Sequence, residues 1–223
     1  MFRIRIQNKK KCIWYCSAVV SFLLFLLLLG WTNHLANTQD AQQMAGRWSE
    51  KKDVAQISCF FSSKAEVTED TIQSFEYSLK NVLQEASITE TSENPSARLW
   101  VDAYSADGKI TLVNGRNTLD ANAIGIGGDF FLFHPLKLIT GSYFSGNDLM
   151  QDYCIIDQDA AWQLFGSNDV VGMTVYIGNV PHIVTGVVRR PQGRMEKAAG
   201  LTSTVVYVSY ETLETYGTSN GIN

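Results

Sequence analysis

An uncharged apolar run near the N-terminus, from Cys12 to Trp31, constrains this chain more than any other feature. It is about 20 residues long, the length that an α-helix needs to cross a hydrocarbon core of roughly 30 Å. A signal peptide also combines a basic start with an apolar run, but its apolar core usually spans only about 7–15 residues. We therefore predict an uncleaved transmembrane helix at residues 12–31.

The basic residues before this run predict its orientation. Residues 1–11 contain five Lys and Arg residues and no acidic residue, and the next Lys or Arg is Arg47. Because Lys and Arg that flank a span stay on the cytoplasmic side, residues 1–11 should form a cytoplasmic basic tail. We predict a single-pass protein of the cell membrane, the plasma or inner membrane, with its N-terminus in the cytoplasm and its main domain extracytoplasmic.

The predicted outer part is acidic. The formal net charge of the chain is −4 at pH 7, and the first eleven residues contribute +5, so the remainder carries −9. This charge argues against nucleic acid or an anionic lipid surface as the main partner of the outer part. Its simplest role is to keep the domain in solution.

The four cysteines divide into two pairs. Cys12 and Cys16 lie one helical turn apart at the inner end of the predicted span, where they are most simply small apolar residues. Cys59 and Cys154 lie in the outer part, where an oxidising compartment would permit a disulfide, but the sequence does not show whether they approach each other. Because a domain built on disulfides would carry more cysteines, we expect both thiols to be free.

Residues 32–53 predict a stalk. Ala41, Met44, Ala45 and Trp48 recur at the spacing of one helix face. We predict that the membrane helix continues outward as one rod to Trp48. A disordered linker is the alternative, because Asn37, Thr38 and Gln39 are polar.

Residues 54–140 predict a small α+β layer. Asp53–Ser62 is rich in β-branched and aromatic residues and predicts a strand. A helix should begin after Thr68, with acidic residues in its first turn, and run to about Ala86. Its predicted apolar face consists of Ile72, Phe75, Leu79, Val82 and Leu83.

A predicted hairpin and two apolar segments complete this layer. Arg98–Ser105 and Lys109–Asn114 should pair around Ala106-Asp107-Gly108, because Asp-Gly favours a tight turn. Ala121–Gly128, ANAIGIGG, lacks both the G-x-G-x-x-G and the G-x-x-x-x-G-K-[ST] spacing of phosphate loops, so we interpret it as a bend that glycine permits. Asp129–Pro135, DFFLFHP, is predicted to be buried, with an exposed partner surface as the alternative.

The chain from about Ile139 onward predicts a second unit of β-α-β-β order. Asp157 can cap its helix and Gly166 can end it, and Gly178-Asn179 favours a tight turn between two strands. The predicted strands are Tyr153–Ile156, Met173–Ile177 and His182–Val188, with Met173, Val175 and Ile177 on the buried face. Arg189–Gly200 predicts a loop and Thr204–Tyr210 a further strand, with no closing element at residues 218–223.

The sequence predicts no enzyme. His34, His134 and His182 lack the spacing of metal ligands with each other or with carboxylates. No G-x-S-x-G elbow is present. We therefore predict no catalytic, cofactor-binding or metal-binding residues, and no cofactor.

Residues 139–190 resemble the periplasmic core domain of MacB-like and FtsX-like ABC transporter permeases. Four segments carry the resemblance to the family's G-R-x-F…D, strand–helix–LFG, x-G-x-x-V/I and x-x-F/Y-x-V-x-G-V patterns. They are Gly141–Phe144 with Asn147-Asp148, Ile155–Asp157 with Ala161 and Leu164–Gly166, Val171–Val175, and Val180–Val187. Ser142 stands where the family usually has Arg.

The resemblance implies an α+β fold, with one N-terminal transmembrane helix before an extracytoplasmic core domain. Residues 54–140 would be the first half of a porter-like subdomain, residues 141–200 an inserted sabre-like subdomain, and residues 201–223 a return strand and a truncated end. Family members continue to further membrane helices, so the resemblance also implies a fragment of a longer permease or a shortened gene product.

The resemblance further implies a permease subunit of the mechanotransmission type. Its partners would be a cytoplasmic ABC ATPase subunit, a second permease copy in a dimer, and the lipid bilayer, with no role for nucleic acid. The substrate would be a peptide, a lipoprotein or a drug, handled outside the cytoplasm or exported. The alternative is a single-span anchored binding or adaptor module without transport activity of its own.

Overall fold

A computed structural model describes residues 9–37, 43–48, 54–89, 98–190 and 203–222. It divides into two compact units, Met1–Gln56 and Ile57–Asn223, which are described separately.

The first unit is dominated by helix α1, Lys9–Asn37. Within it, Ile13–Leu35 has a mean hydropathy of 2.3 over 23 residues, so by length and composition it can cross a membrane. Helix α2, Met44–Trp48, begins after Gln43, which is not helical and whose carbonyl accepts a hydrogen bond from the Arg47 N–H (3.1 Å). The predicted N-terminal helix is confirmed, but the predicted single rod to Trp48 is wrong at Gln43. The remainder of the predicted stalk, residues 38–42 and 49–53, lies outside the described residues.

The predicted strand at Asp53–Ser62 is wrong, because residues 54–62 form no strand and Asp53 lies outside the described residues. The side chains of Ile57 and Phe60 are 86% and 83% exposed. A β-branched and aromatic sequence favours a strand only where a neighbouring strand and a packed face are available. A one-turn 3₁₀ helix, Ser63–Ala65, follows.

Helix α3, Glu69–Glu85, is confirmed with its predicted start, although the Thr68 side chain makes no capping hydrogen bond. The Thr68 carbonyl instead accepts from the N–H groups of Thr71 (3.1 Å) and Ile72 (3.3 Å). No residue of α3 is buried. The predicted apolar face is therefore only partly covered, with Phe75 and Val82 exposed.

Strands β1, Ala103–Asn114, and β2, Asn117–Gly128, form a long hairpin. The predicted turn at Ala106-Asp107-Gly108 is wrong, because these residues pair in mid-strand with Ile124 and its neighbours on β2. The chain turns instead at Gly115-Arg116, between the paired residues Asn114 and Asn117. Gly115 has φ +61°, and glycine at the first position of a two-residue loop favours a tight hairpin turn. The predicted bend at residues 121–128 is likewise part of strand β2.

The remaining elements follow in chain order. They are α4 Phe130–Phe133, β3 Leu138–Gly141, β4 Tyr153–Asp157, α5 Gln158–Phe165, β5 Thr174–Ile177, β6 Val180–Val188, β7 Val205–Ser209, α6 Tyr210–Tyr216 and β8 Thr218–Ile222.

The predicted helix cap, helix end and tight turn of the β-α-β-β segment are confirmed. The Asp157 carboxylate accepts from the Ala160 N–H (2.7 Å), and Gly166 ends α5 at φ +73°. Gly178 and Asn179, at φ +55° and +67°, connect β5 to β6. Met173 differs from the prediction, because it precedes β5 and is 46% exposed. In the predicted loop, Arg189 and Arg190 are described, whereas residues 191–202 lie outside the described residues.

The end of the described chain differs from its prediction. Ser209 begins helix α6, and its hydroxyl accepts from the Thr212 N–H (3.2 Å). Strand β8 then pairs antiparallel with β1, where Ala106 faces Ile222 and Lys109 faces Thr218. The expectation of no closing element is wrong; residue 223 lies outside the described residues.

One sheet contains all eight strands of the described residues, in the order β2-β7-β4-β6-β5-β1-β8, with β3 attached to β6. Because β1 also pairs with β2, six of these strands close into a ring. The β2–β7 and β4–β6 pairs are parallel, and the other pairs are antiparallel. A boundary at residue 140 therefore does not divide the sheet, and the assignment of its halves to porter-like and sabre-like subdomains stays a prediction.

The core has two parts. The larger cluster fills the space between the ring strands and helices α5 and α6, and includes Leu112, Ile156, Ile177, Val208 and Leu213, each fully buried. The smaller cluster contains Phe130, Phe131, Phe144 and Ile155. The predicted burial of Asp129–Pro135 is confirmed for Phe130 and Phe131, whereas Leu132 is exposed.

The Asp157 carboxylate connects helix α5, Arg190 and strand β7. Besides capping α5, it accepts from Arg190 Nη2 (2.6 Å) and from the Val205 N–H (3.0 Å) on β7. Asp157 is only 2% exposed. A buried carboxylate is tolerated only where donors such as these surround it.

Replacing Asp157 with Ala should lower the free energy of unfolding by about 2–4 kcal/mol, because its buried donors lose their acceptor. Asp159→Ala is the matched control. It removes a partly exposed ion pair to Arg190 (2.8 Å) and should cost less than about 1 kcal/mol. Urea unfolding of the full chain in detergent micelles measures both values, and similar losses would contradict a special role for Asp157.

Candidate functional site

A small, partly open pocket lies where helix α3 and helix α6 approach strands β1 and β2. We call it the tyrosine pocket; it is lined by Glu69, Tyr104, Ile126, Gly146, Gln151, Tyr210 and Glu211. Its volume is about 30 Å³, the space of about one water molecule. A drug-sized ligand needs several hundred Å³, so this pocket does not enclose one.

Two tyrosines and a glutamate give the pocket its chemistry. The rings of Tyr104 on β1 and Tyr210 on α6 meet edge-on, 5.9 Å between centroids, a favourable aromatic geometry. Glu69, at the start of α3, lines the same pocket. Burial, and then Glu69, raise the pKa of Tyr104, while burial and Glu214 raise the pKa of Tyr210. Both phenols are therefore neutral at physiological pH and act as hydrogen-bond donors.

Glycines of β2 allow these side chains to lie close to the backbone. A Cβ at Gly127 would lie 2.0 Å from the Tyr104 ring, and one at Gly146 would lie 2.5 Å from the Gly127 Cα. Gly125 faces Leu213 of α6 in the same way. The ANAIGIGG segment thus provides close packing under the pocket.

One carboxyl group of α3 has a raised pKa. Burial, followed by the negative charge of Asp102, which immediately precedes β1, raises the pKa of Glu76 from 4.5 to about 7.

The structure does not bring the three histidines together. His182 is buried; its Nδ1 lies 3.0 Å from the Val180 carbonyl and its Nε2 lies 3.3 Å from Thr212 Oγ1. Burial lowers the pKa of His182. His134 stacks on Phe130 at 4.4 Å, and His34 lies in α1. Among the described residues, no group of three or more His, Cys, Asp or Glu side chains could hold a metal ion.

Cys59 and Cys154 are both free. Cys154 is fully buried in the core on β4, and burial raises the pKa of its thiol to about 12. Cys59 is exposed. The possible disulfide between them is not formed, because one thiol lies inside the ring of strands and the other at the surface.

Exposed apolar side chains are the other notable feature of the second unit. Phe75, Tyr77 and Val82 on α3 are 60–69% exposed, and Leu149 is fully exposed. The described part of the domain thus combines a pocket of one-water size with several exposed apolar side chains.

The family comparison decides what kind of domain this is. The model of the MacB-like periplasmic core domain matches residues 20–222. The chain belongs to this family. The predicted resemblance and the predicted α+β fold are confirmed.

Curated relatives are MacB proteins of several bacteria. The macrolide export ATP-binding/permease protein MacB of Pasteurella multocida is 32% identical over 81 residues, which is 35% of this chain and 12% of that protein. The MacB of Neisseria gonorrhoeae is 36% identical over 80 residues, again 12% of its length and 34% of this chain. The chain thus spans only a small part of these relatives.

Two solved structures are also similar. The periplasmic region of MacB from Actinobacillus actinomycetemcomitans is 25% identical, with a TM-score of 0.42 over 57% of this chain and 58% of that one. The extracellular domain of the transporter YknZ from Gram-positive bacteria is 21% identical, with a TM-score of 0.42 over 54% and 62%. Family membership, together with helix α1, indicates a membrane-anchored protein with an extracytoplasmic domain.

Sequence reasoning missed the tyrosine pocket. Tyr104, Tyr210 and Glu69 come from three distant parts of the chain, and no spacing connects them. The available signal was the glycine-rich strand, because glycines inside a strand often mark a close approach of another group.

Gly127→Ala should disrupt the pocket by forcing the Tyr104 ring away from Glu69 and Tyr210. We expect a loss of about 1–3 kcal/mol in the free energy of unfolding. In a Tyr104→Ala background the added methyl group has room, so the loss from Gly127→Ala should shrink by about 1 kcal/mol or more. Urea unfolding of the single and double variants in detergent measures this coupling.

Gly46→Ala is the control, because nothing lies within 4 Å of a Cβ at that position. It should not reduce stability, since Ala is a better helix former than Gly. Additive losses in the double variant would show that the two residues do not pack as described.

Proposed function

We propose that this chain is a permease subunit, or part of one, of an ABC transport system of the MacB mechanotransmission type. It would couple ATP hydrolysis in the cytoplasm to handling or efflux of a substrate outside it. The observation that carries this proposal is the family match over residues 20–222, which begins inside helix α1 and extends through the closed sheet.

The ATPase would be a separate cytoplasmic subunit. The sequence itself contains no G-x-x-x-x-G-K-[ST] segment to hold a nucleotide phosphate. We also propose that the chain has no catalytic activity of its own. A second permease copy would complete a dimer. The substrate class stays open among peptides, lipoproteins and drugs.

The proposed orientation places residues 1–11 in the cytoplasm and the second unit outside. The five Lys and Arg residues before the span support it. Movement of the ATPase would reach the outer domain through α1. The non-helical Gln43 adds a joint before α2, so transmission would not use one uninterrupted rod.

The native Cys59 thiol should report this orientation. In spheroplasts with an intact cytoplasmic membrane, a membrane-impermeant maleimide should label the full chain, because Cys59 is exposed. Cys154 should stay unlabelled, since it is buried and its thiol pKa is raised to about 12. The Cys59→Ser variant, which should lose the signal, is the control. Labelling of Cys59 only after lysis would place the domain in the cytoplasm and contradict the proposal.

Nucleotide photolabelling tests the coupling to an ATPase. The protein is purified from its native membranes in mild detergent and irradiated with 8-azido-ATP. We expect label on a co-purifying polypeptide and none on this chain. If no nucleotide-binding polypeptide accompanies the chain, the alternative of an anchored binding or adaptor module takes precedence. If this chain itself is labelled, the assignment of a separate ATPase is wrong.

A further inference from the structure

The polar groups of the tyrosine pocket are mainly hydrogen-bond acceptors. They belong to the side chains of Glu69, Tyr104, Gln151, Tyr210 and Glu211. An ionised carboxylate only accepts hydrogen bonds, and a phenol oxygen can accept one while its O–H donates another. The pocket therefore suits a ligand group that only donates.

Neither carboxylate of the pocket is neutralised by a cation. In the described part of the chain, Glu69 and Glu211 form no ion pair. Glu69 accepts one long hydrogen bond, 3.4 Å, from Gln73 Nε2 on the next turn of α3. Two negative charges without a counter-charge at one small pocket attract a positively charged group.

Tyr210 is an independent indication that the pocket receives a ligand. It is only 4% exposed, yet its hydroxyl has no hydrogen-bond partner among the described residues. Buried polar side chains normally have such a partner. The unpartnered side-chain atoms that the described fold encloses completely are Asp152 Oδ1 and Asn168 Oδ1. The Tyr210 hydroxyl is thus still accessible, and because Tyr210 lines the tyrosine pocket, it faces that space.

The apolar part of the lining suits a cation on a hydrocarbon chain. The rings of Tyr104 and Tyr210 meet at 5.9 Å and 74°, and a cation over the face of a tyrosine ring is attracted by it. Ile126, also in the lining, is 1% exposed. A short chain of methylene groups can lie along these side chains.

The size of the pocket restricts the charged group. A volume of about 30 Å³ holds one group of the size of a water molecule. A primary ammonium is a compact charge with three N–H donors and no acceptor, whereas a guanidinium is a larger, planar group with five donors. A divalent metal ion needs about six oxygen ligands, and the described residues contain no cluster suited to a metal.

We propose that the tyrosine pocket binds a primary ammonium group, which a lysine side chain or the N-terminus of a peptide would supply. Its three N–H groups would donate to Glu69, Glu211 and the Tyr210 hydroxyl. Its carbon chain would lie against Ile126 and the tyrosine rings. The acidic outer part of the chain attracts such cations over a longer range. This binding site goes beyond the proposed transport role and does not depend on it.

An NMR titration of the full chain in neutral detergent micelles tests the site. The tyrosine rings are labelled with ¹³C, and the variants Tyr104→Phe and Tyr210→Phe assign the two signals. At pH 6.5 and constant ionic strength, n-butylammonium chloride should shift both signals saturably, with a dissociation constant of about 1–10 mM. Sodium chloride and n-butylguanidinium chloride at the same concentrations should give no saturable shift.

Single substitutions locate the binding. Glu69→Gln and Glu211→Gln should each weaken n-butylammonium binding about fivefold or more, because a charge-assisted hydrogen bond becomes a neutral one. Tyr210→Phe keeps the ring and removes the hydroxyl, and should weaken binding about threefold, measured at the Tyr104 signal. Glu85→Gln is the matched control. It makes the same change at an exposed position of α3 outside the pocket lining and should bind as the wild type does.

Two peptides distinguish the sources of the ammonium group. Acetyl-Gly-Gly-Lys-Gly-Gly-amide carries only a side-chain amine, and Gly-Gly-Ala-Gly-Gly-amide carries only an N-terminal one. Both amines are protonated at pH 6.5. Tighter binding of the first peptide would assign the pocket to a lysine side chain, tighter binding of the second to a peptide N-terminus, and equal binding to either amine. Acetyl-Gly-Gly-Arg-Gly-Gly-amide is the control that should not bind.

Three results would overturn the proposal. Absence of a saturable shift with n-butylammonium and with both amine peptides would leave water as the occupant of the pocket. Equal shifts with sodium or guanidinium would reduce the effect to a general attraction of cations to an acidic domain. Unchanged affinity in both Glu69→Gln and Glu211→Gln would place the bound amine elsewhere.

Discussion

The pairing of β1 with β2 is the interaction on which the rest of the domain depends. It runs without interruption from Ala103↔Gly128 to Asn114↔Asn117. The outer edge of β2 then pairs with β7, and the outer edge of β1 is shared by β5 and β8. Because β1 and β2 also pair with each other, six strands close into a ring, and closure leaves these strands without the exposed edges that would invite pairing with other chains. Strands β3 and β8 lie outside the ring.

The reliable sequence signals were those that act within one short segment of the chain. Asp157, Gly166 and Gly178-Asn179 act through their own backbone neighbourhood, as a helix cap, a helix end and a tight turn. Such chemistry is local, so it can be recognised without knowing the fold. The strand at residues 205–209 and the helix at 69–85 were predictable for the same reason, from periodicity within one segment.

The wrong predictions concerned segments whose structure depends on whether a neighbouring strand is available. Asp107-Gly108 has the composition of a turn, but the two-residue loop Gly115-Arg116 sets the register of the hairpin, and Gly108 instead lies against β8. A Cβ at Gly108 would lie 2.1 Å from the Thr218 carbonyl oxygen. Strand β8 itself, TSNGI, has little strand propensity and forms because β1 offers an edge. Residues 54–62 show the converse, a strand-like sequence without a neighbouring strand.

The tyrosine pocket could not be predicted because it is a property of the closed ring. Closure of the ring places Tyr104 of β1 next to Tyr210 of α6, and the glycines of β2 leave room for both side chains. Its residues carry no common motif, only compatible shapes and hydrogen-bonding groups. The candidate site was therefore much less predictable than the fold, whose family resemblance was visible in residues 139–190.

The elements of this domain differ in how many buried side chains hold them in place. The ring strands and helices α5 and α6 share fully buried side chains such as Ile156, Leu164 and Leu213, so they move as one body. Helix α3 shares none, and local opening is cheapest where few apolar contacts are lost. Under the proposed function, the ring would carry a displacement that begins at the membrane helix, while α3 changes its contacts. The glycines that allow close packing strengthen the ring, whereas α3 buries no side chain that would hold it in one position.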